Sequence, residues 1–538
     1  MKIVIAEKIA QAAVSFFTEE RGWTVLTSEQ VHGSLPKELA DADALIVRSA
    51  VQVDAALLEH AKKLRVIGRA GVGVDNIDLE AATRKGIAVM NTPGANAVAV
   101  AEHTLGLMLA MARQVCRANE LMHAGKWEKK SLQGSELRGK ILGIIGLGRI
   151  GIEVARRAQA FGMKVLAYDP FVPPAVAEQS SVTLKPLDHV LVTADYLTLH
   201  MALTPQTTAM VGEKSLKHMK KGVRIVNCAR GELVDEAAMA TAIKSGHVAG
   251  FATDVFCEEP PKNSPLIGLP QVIATPHIAG STAEAQDAVG IQIAQQVKEY
   301  LKSGVIQNAV NVPSMTEEEY QKAHPFIALG AKLGSFLAQI TEGRPEQVTL
   351  RYTGDLSQWK TELVRNSALT GILNASLSDE PANLVNAATV AVERHVLVNE
   401  IRKARGEGGA ANVLTVELKT ETDVHEMKGT VLHGESLRLI AVDGIDIESP
   451  LGRHLLYIRN RDIPGVVGKV GTILGEAEVN IADFALGRSQ AAAAAAIGKS
   501  MQNAFAVGIV HVDEAVPQRA LEKLRKVEAI VEARTVVL

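Results

Sequence analysis

Apolar residues in the first half of the chain fall into short runs separated by stretches of helical periodicity. Runs at 2–5, 44–47, 65–68 and 88–90 have strand length and are bounded by turn residues. Between them, 54–62 and 79–84 place apolar residues on one helical face. A longer helical segment, 98–122, is apolar around most of its circumference, which predicts burial in a core or a subunit interface. The alternation then restarts, with strands predicted at 141–145, 164–168, 196–200, 224–228, 249–254 and 272–275, and a closing helix over 282–302. Strand–helix alternation implies parallel sheets with helices on both faces. Two such sets predict an α/β protein with two doubly wound parallel-sheet domains, the long helix between them.

The second half changes character. The segment from Asn311 to Glu319 reads as a linker into an α+β region. Periodicity predicts helices over 320–340 and 382–405, and strands at 347–352 and 412–419. Asp443-Gly444, between apolar runs 439–442 and 445–447, predicts a two-residue hairpin turn. The glycine-rich stretch 406–412 reads as a mobile loop, because no strand-to-helix context surrounds it to make an anion cradle. The last segment runs strand 455–459, helix 464–475, strands 480–486 and 504–511, helix 517–526, strand 529–537. That βαββαβ order predicts a ferredoxin-like sandwich. The alanines from 491 to 496 read as an inserted loop or helical extension.

Composition narrows the function classes. A chain of 538 residues is too long for one core and implies three or four domains. A net charge of −3 predicts no bulk attraction to nucleic acid or to an anionic membrane. Three cysteines, Cys116, Cys228 and Cys257, fit neither a disulfide framework nor a zinc site, so a cytoplasmic location and no metal are expected. The N-terminus meets charge at Lys2 and Glu7, too early for a signal peptide. The apolar run 104–112 is far short of the roughly 20 residues that cross a bilayer.

Candidate chemistry begins at Gly146-Leu-Gly148-Arg149-Ile-Gly151, between an apolar strand and a helix with Ile150, Val154, Ala158 and Phe161 on one face. The first glycine allows a tight turn, the second a close approach of backbone to a pyrophosphate, and the third close helix–strand packing. The helix N-terminus adds free N–H groups and positive partial charge. Asp169 ends the next strand, where a carboxylate can bind ribose hydroxyls and repel a 2′-phosphate. The pattern predicts NAD rather than NADP.

Three further segments follow predicted strands of the same sheet: Asn227-Cys-Ala-Arg230-Gly, Asp254-Val-Phe-Cys-Glu-Glu259-Pro and Thr275-Pro-His277-Ile-Ala-Gly280. Ligands gather at strand ends in such sheets. Singly, each has a bland reading: a surface arginine, a solvated acidic turn, a loop histidine. Jointly they hold the parts for oxidising a 2-hydroxy acid. Imidazole titrates near neutral pH and suits a hydroxyl base. A carboxylate on its second nitrogen fixes the tautomer. Arginine holds a substrate carboxylate with two parallel bonds.

With these residues, the chain resembles the D-isomer-specific 2-hydroxyacid dehydrogenases over residues 1 to about 308. The resemblance implies that Arg230 orients the substrate, Glu259 partners the histidine and His277 is the acid/base. It places Arg149, Ile150, Cys228, Ala229, Asp254 and Gly280 with the glycines along the cofactor cleft, Asp254 near the nicotinamide carboxamide. It implies a flavodoxin-like substrate-binding domain from 1–97 and 287–308, and a Rossmann NAD-binding domain over 98–286.

Val47-Arg48-Ser-Ala, Gly68-Arg69-Ala-Gly-Val72-Gly-Val-Asp-Asn76 and Asn91-Thr-Pro-Gly-Ala-Asn96 resemble the substrate loops of the 3-phosphoglycerate-oxidising branch of this family. Ala95 departs from the glycine often found there. The resemblance makes Arg48, Arg69, Val72 and Asn96 substrate residues, and two strand-end arginines suit a phosphate beside a carboxylate. Lys129 and Lys130, after Trp127, read as a solvated pair, with a reach into a neighbouring subunit's cleft as the alternative. Residues 311–450 resemble the intervening domain of the long forms of that branch. Residues 454–538, with Asn460-Arg-Asp462-Ile-Pro-Gly465 and Asn480, resemble an ACT domain, which implies an amino-acid effector, serine, at Asn460, Asp462, Gly465 and Asn480. The alanine-rich insertion sits where that sheet would pair or cover a ligand.

The resemblance implies NAD-dependent oxidation of 3-phospho-D-glycerate, the first step of serine synthesis, by a homodimer or homotetramer. The resemblance also implies a side activity, reduction of 2-oxoglutarate to 2-hydroxyglutarate, as in some relatives. Two rivals stay open at this point: a glyoxylate, hydroxypyruvate or erythronate-phosphate reductase of the same fold, and a non-catalytic NAD-sensing interaction protein.

Overall fold

The computed structural model describes residues 1–31, 33–375, 381–404, 412–489 and 505–538. Its first sheet is wholly parallel, built from β1 (Lys2–Ile5), β2 (Thr24–Leu26), β3 (Ala44–Val47), β4 (Val66–Arg69) and β5 (Ala88–Met90). The order β2-β1-β3-β4-β5 is that of flavodoxin-like sheets. All four residues of β3 are buried, as expected of a parallel strand covered on both faces. β4 ends one residue later than its apolar run, so Arg69 is the last residue of the strand.

The second sheet holds β6 (Ile141–Ile145), β7 (Lys164–Tyr168), β8 (Thr183–Leu184), β9 (Tyr196–Leu199), β10 (Val223–Asn227), β11 (Val248–Thr253) and β12 (Val272–Ala274). The order β12-β11-β10-β9-β6-β7-β8 reverses direction beside β6, which creates the crevice where a dinucleotide binds in Rossmann folds. The two short edge strands β2 and β8 carry no apolar run long enough to predict them.

The long helix is shorter than its pattern suggests. Ala97–Arg113 is helical and well buried. Gln114 then turns left-handed at φ 51°, its amide donates to the Gln133 carbonyl at 3.0 Å, and a separate helix, Val115–His123, buries none of its residues. Burial in this chain's own core therefore does not extend to the second half of that segment, which leaves the subunit-interface alternative for it. The closing helix, Ala283–Ser303, is capped by the Thr282 side chain and packs on the first sheet.

The third sheet is mixed: β13 (Pro345–Gly354), β14 (Leu397–Lys403), β15 (Asn412–Thr420), β16 (Val424–Leu432), β17 (Ser436–Val442) and β18 (Ile445–Pro450), in the order β14-β13-β15-β16-β17-β18. The helix predicted over 382–405 is incorrect. Only Ala387–Glu393 is helical, and β14 pairs parallel to β13 over seven residues. Asp443 and Gly444 both take positive φ in the β17–β18 hairpin, as the turn requires.

The fourth sheet, β19 (His454–Arg461), β20 (Ile481–Arg488), β21 (Phe505–Val512) and β22 (Ile530–Val537), is antiparallel with helices Val466–Glu476 and Gln518–Arg525 between strands. The order β20-β21-β19-β22 is the ferredoxin-like arrangement. The glycines from 406 and the alanines from 491 to 496 lie outside the described residues. Among the described residues no helix is long and apolar enough to cross a membrane.

Candidate active site

The ends of β3, β4, β9, β10 and β11 converge on a cleft of about 920 Å³ between the two parallel sheets. Arg48, Arg69, Val72 and Asn96 line it from the first-sheet side, and Ile150, Cys228, Ala229, Arg230, Asp254, Glu259, His277 and Gly280 from the second. The structure therefore gathers the residues of all three strand-end segments. Gly146, Gly148, Arg149, Gly151 and Asp169 are not part of this lining, although Ile150 of the glycine loop is.

Each side chain is placed by its strand end. After β10, the buried Asn227 clasps the turn: its amide donates to the Arg230 carbonyl at 2.8 Å and its oxygen accepts the Ala229 N–H at 3.1 Å. A β-carbon on Gly231 would lie 2.0 Å from the Phe256 carbonyl carbon. Only glycine lets the Arg230 turn and the Glu259 turn approach this closely. Glu259 Oε1 accepts the Phe256 N–H at 3.1 Å, and Oε2 lies 2.7 Å from His277 Nδ1. The Glu259–Pro260 peptide bond is cis.

His277 adopts φ 53°, unusual for a residue with a side chain. Asp254 holds it there. The Asp254 carbonyl accepts the His277 N–H at 2.8 Å, and its fully buried carboxylate accepts the Thr275 hydroxyl at 2.6 Å, the Ile278 N–H at 2.9 Å and the Ala279 N–H at 2.8 Å. Burial opposes its ionisation, but the bonds from His103, Thr275, Ile278 and Ala279 outweigh it and hold the carboxyl below its ordinary range. In this geometry Asp254 anchors the histidine loop as much as it borders the cofactor cleft.

The glycine loop fits a dinucleotide. Gly146 takes φ 95°, and a β-carbon there would meet the His200 carbonyl oxygen at 2.6 Å. Asp169 Oδ2 accepts the Leu147 N–H at 2.9 Å, while Oδ1 accepts Phe171 and Val172. The carboxylate thus braces the loop at the position expected of a ribose ligand. Arg149 reaches across the cleft instead of along the loop, donating to the Pro93 carbonyl. Three buried polar atoms of residues in the lining, Arg69 Nε, Asn96 Oδ1 and His200 Nδ1, have no protein partner, which suits a cleft that takes a polar ligand. Burial drives the His200 imidazole down to about 3 and the Cys228 thiol up to about 12, so both are neutral at physiological pH.

Sequence patterns did not single out Glu7. Just past β1, its carboxylate accepts the N–H groups of Arg48 at 2.7 Å, Ala50 at 3.0 Å and Val51 at 3.2 Å, and so shapes the loop carrying Arg48. The one available signal is a polar residue at a strand end. Arg69 is largely buried, and its Nε has no partner. Burial, and then the positive charge of Arg230, lowers the proton affinity of its guanidinium. Lys129 and Lys130 are exposed and outside the cleft.

A second, smaller cavity of about 160 Å³ lies against the fourth sheet, lined by Asn460, Asp462 and Gly465 with Val466, Phe484 and Leu486. Asp462 is already paired with Arg488 at 2.6 Å. Asn480 does not join this cavity. Its amide donates to Asp513 Oδ2 at 2.7 Å.

Comparison with known proteins finds three family models along the chain. The NAD binding domain of D-isomer specific 2-hydroxyacid dehydrogenases matches residues 105–279, the D-3-phosphoglycerate dehydrogenase intervening domain 322–443, and the ACT domain 454–529. The D-3-phosphoglycerate dehydrogenase of Methanocaldococcus jannaschii is 38% identical over 531 residues, covering 98% of each chain. That of Archaeoglobus fulgidus is 38% identical over 539 residues, covering 100% of each. The structure of D-lactate dehydrogenase from Aquifex aeolicus, complexed with NAD and lactic acid, aligns with a TM-score of 0.51 at 28% identity, covering 58% of this chain and 100% of that one.

Proposed function

The chain belongs to the D-isomer specific 2-hydroxyacid dehydrogenases, in the long-form branch with intervening and ACT domains, and from that premise we propose how its residues divide the work. The reaction is NAD-dependent oxidation of 3-phospho-D-glycerate to 3-phosphohydroxypyruvate, the entry step of L-serine biosynthesis. The observation that carries this reading is the 2.7 Å contact of His277 Nδ1 with Glu259, in the cleft that also holds Arg230, Arg69 and Arg48. In the domain division we adopt, residues 1–97 and 287–308 form the substrate domain and 98–286 the NAD domain.

NAD, when bound, supplies the hydride acceptor. His277, with Nδ1 engaged by Glu259, has Nε2 free to take the proton of the C2 hydroxyl. Glu259 then stabilises the imidazolium that results. Arg230 holds the substrate carboxylate, and Arg48 and Arg69 hold the phosphate. Arg69 suits this part because a buried guanidinium with a free Nε gains most from an anion. Gly146, Gly148, Gly151, Arg149 and Asp169 serve the cofactor.

Serine is the effector we assign to the Asn460, Asp462 and Gly465 cavity, on the strength of its small, polar-edged shape. A homo-oligomer is supported by the exposed helix Val115–His123, with Val115, Met122 and the neighbouring Trp127 open to solvent. A cytoplasmic location is supported by three free cysteines.

Replacing His277 with alanine tests the assignment. We expect turnover to fall by about 10³-fold, the share a general base supplies, with NAD affinity, read by fluorescence titration of NADH, unchanged. Turnover within a few-fold of the parent would remove His277 as the base.

A further inference from the structure

Arg230 is held from both sides of the cleft. Its Nη1 donates to the carbonyl of its neighbour Ala229 at 2.7 Å. Its Nη2 lies 3.0 Å from Asp75 Oδ2, on the loop after β4 in the other domain. Among the described residues this is Arg230's one ion pair. The guanidinium rests directly on Gly73, where a β-carbon would fall 1.9 Å from Nη2 and 2.7 Å from the Asp75 carboxylate.

The loop that offers Asp75 is itself fixed. Asn76, next in the chain, donates its amide to the Arg48 carbonyl at 3.0 Å and to the Val51 carbonyl at 2.7 Å. Glu7 in turn holds the Arg48–Val51 loop through three backbone N–H groups. Asn76, the Arg48 loop and Glu7 therefore form one hydrogen-bonded frame in the substrate domain, and Asp75 is attached to it through its neighbour Asn76. Three guanidinium groups share this cleft and repel one another, and Asp75 lies where its charge offsets both Arg230 and Arg69.

We propose that Asp75 is the positioning residue for Arg230: it draws the guanidinium across the cleft and fixes the edge offered to the substrate carboxylate. The pair joins residues of different domains, so the carboxylate clamp has its working geometry only when the domains are closed. Closure and carboxylate capture become one event. Nε and one hydrogen on each Nη remain for the substrate, enough for two parallel bonds. The proposal rests on the reading of Arg230 as the carboxylate clamp.

The test is steady-state kinetics of Asp75→Asn and Asp75→Glu with NAD and either 3-phospho-D-glycerate or D-glycerate. Asp75→Asn is expected to raise the KM for both hydroxy acids by the same factor, roughly fivefold. The KM for NAD and the melting temperature stay at parental values, and Asp75→Glu recovers most of the loss. An equal factor for the two substrates marks the carboxylate end as the one affected. An unchanged or lowered KM, a loss confined to the phosphorylated substrate, or a parallel loss of NAD binding or melting temperature would each overturn the proposal. Arg230→Ala is measured alongside. If it retains turnover, the clamp reading itself fails; if it is inactive while Asp75→Asn behaves as the parent, only the role of Asp75 fails.

Discussion

At Gly73, one hydrogen in place of a methyl decides whether Arg230 can reach the cleft. The guanidinium occupies the space a side chain would take, so Gly73→Ala must push Arg230 away. Because the nearest clashes are with the side chains of Arg230 and Asp75, we expect kcat/KM for the hydroxy acid to drop at least about tenfold, a loss of roughly 1.4 kcal/mol of transition-state binding. Circular dichroism and melting temperature should match the parent. Full activity in this variant would show that Arg230 works from some other position. The same scale explains what a linear sequence discloses. Arg230, Glu259 and His277 stand out only together, because each follows an apolar strand of one sheet and the three types complement one another. Glu7 and Asp75 do not, because their partners are backbone N–H groups and a residue of a distant loop. Asn480 looked equivalent to Asn460 in sequence, yet a neighbouring carboxylate, Asp513, turns it elsewhere.

At the scale of elements, the parallel strands were legible because burial on both faces leaves unbroken apolar runs such as Ala44–Val47. The third sheet was less so. β14 is an edge strand with mostly exposed side chains, and its pattern, Leu-Val-Asn-Glu-Ile-Arg-Lys, satisfies a helix as well as a strand. Helix Glu362–Asn374 was missed for a different reason. It packs against Glu317–Ile340 so closely that a β-carbon on its own Gly371 would fall 2.3 Å from the Ala331 carbonyl oxygen, and small residues such as Ser367, Ala368 and Gly371 blur its apolar face. β16 hides a further device. The buried His425 bridges two turns, with Nδ1 2.7 Å from Asp443 and Nε2 3.0 Å from Asp423. Burial opposes its protonation, but Asp443 first and Asp423 second prevail, and its imidazole titrates above the ordinary value. The stabilisation is therefore full below the unfolded value, near about 6.5, and is lost as pH rises through the folded one. Melting temperatures of the parent and His425→Gln, compared from mildly acidic to alkaline pH, should differ most in acid and converge in base. A gap that does not vary with pH would mean that the charge contributes nothing.

At the scale of the molecule, the first, third and fourth sheets share one core, while the second sheet has cores of its own. One core runs from Ile3 and Met90 through Tyr320 and Phe336 to Tyr457 on β19. Asn383 and Asn386 donate to the carbonyls of Gly86 and Arg84 on the substrate domain. Gln339 pairs with both backbone groups of Val537 on β22. The ACT unit is thus joined through the intervening unit to the domain that carries Arg48, Arg69 and Asp75. None of these contacts is visible in sequence, since asparagine and glutamine at such positions read as ordinary surface polarity. What the sequence did carry to this scale was the order of folds, because each unit has its own periodicity and turn chemistry.

We propose that this cleft recognises a hydroxy acid by its carboxylate and its phosphate together. Comparing kcat/KM for 3-phospho-D-glycerate and D-glycerate, with NAD as acceptor, tests it most directly. Two arginines, one of them largely buried, should favour the phosphorylated substrate by at least about 100-fold, or roughly 2.7 kcal/mol. Equal values for the two would contradict the account and leave a general 2-hydroxy acid dehydrogenase in its place.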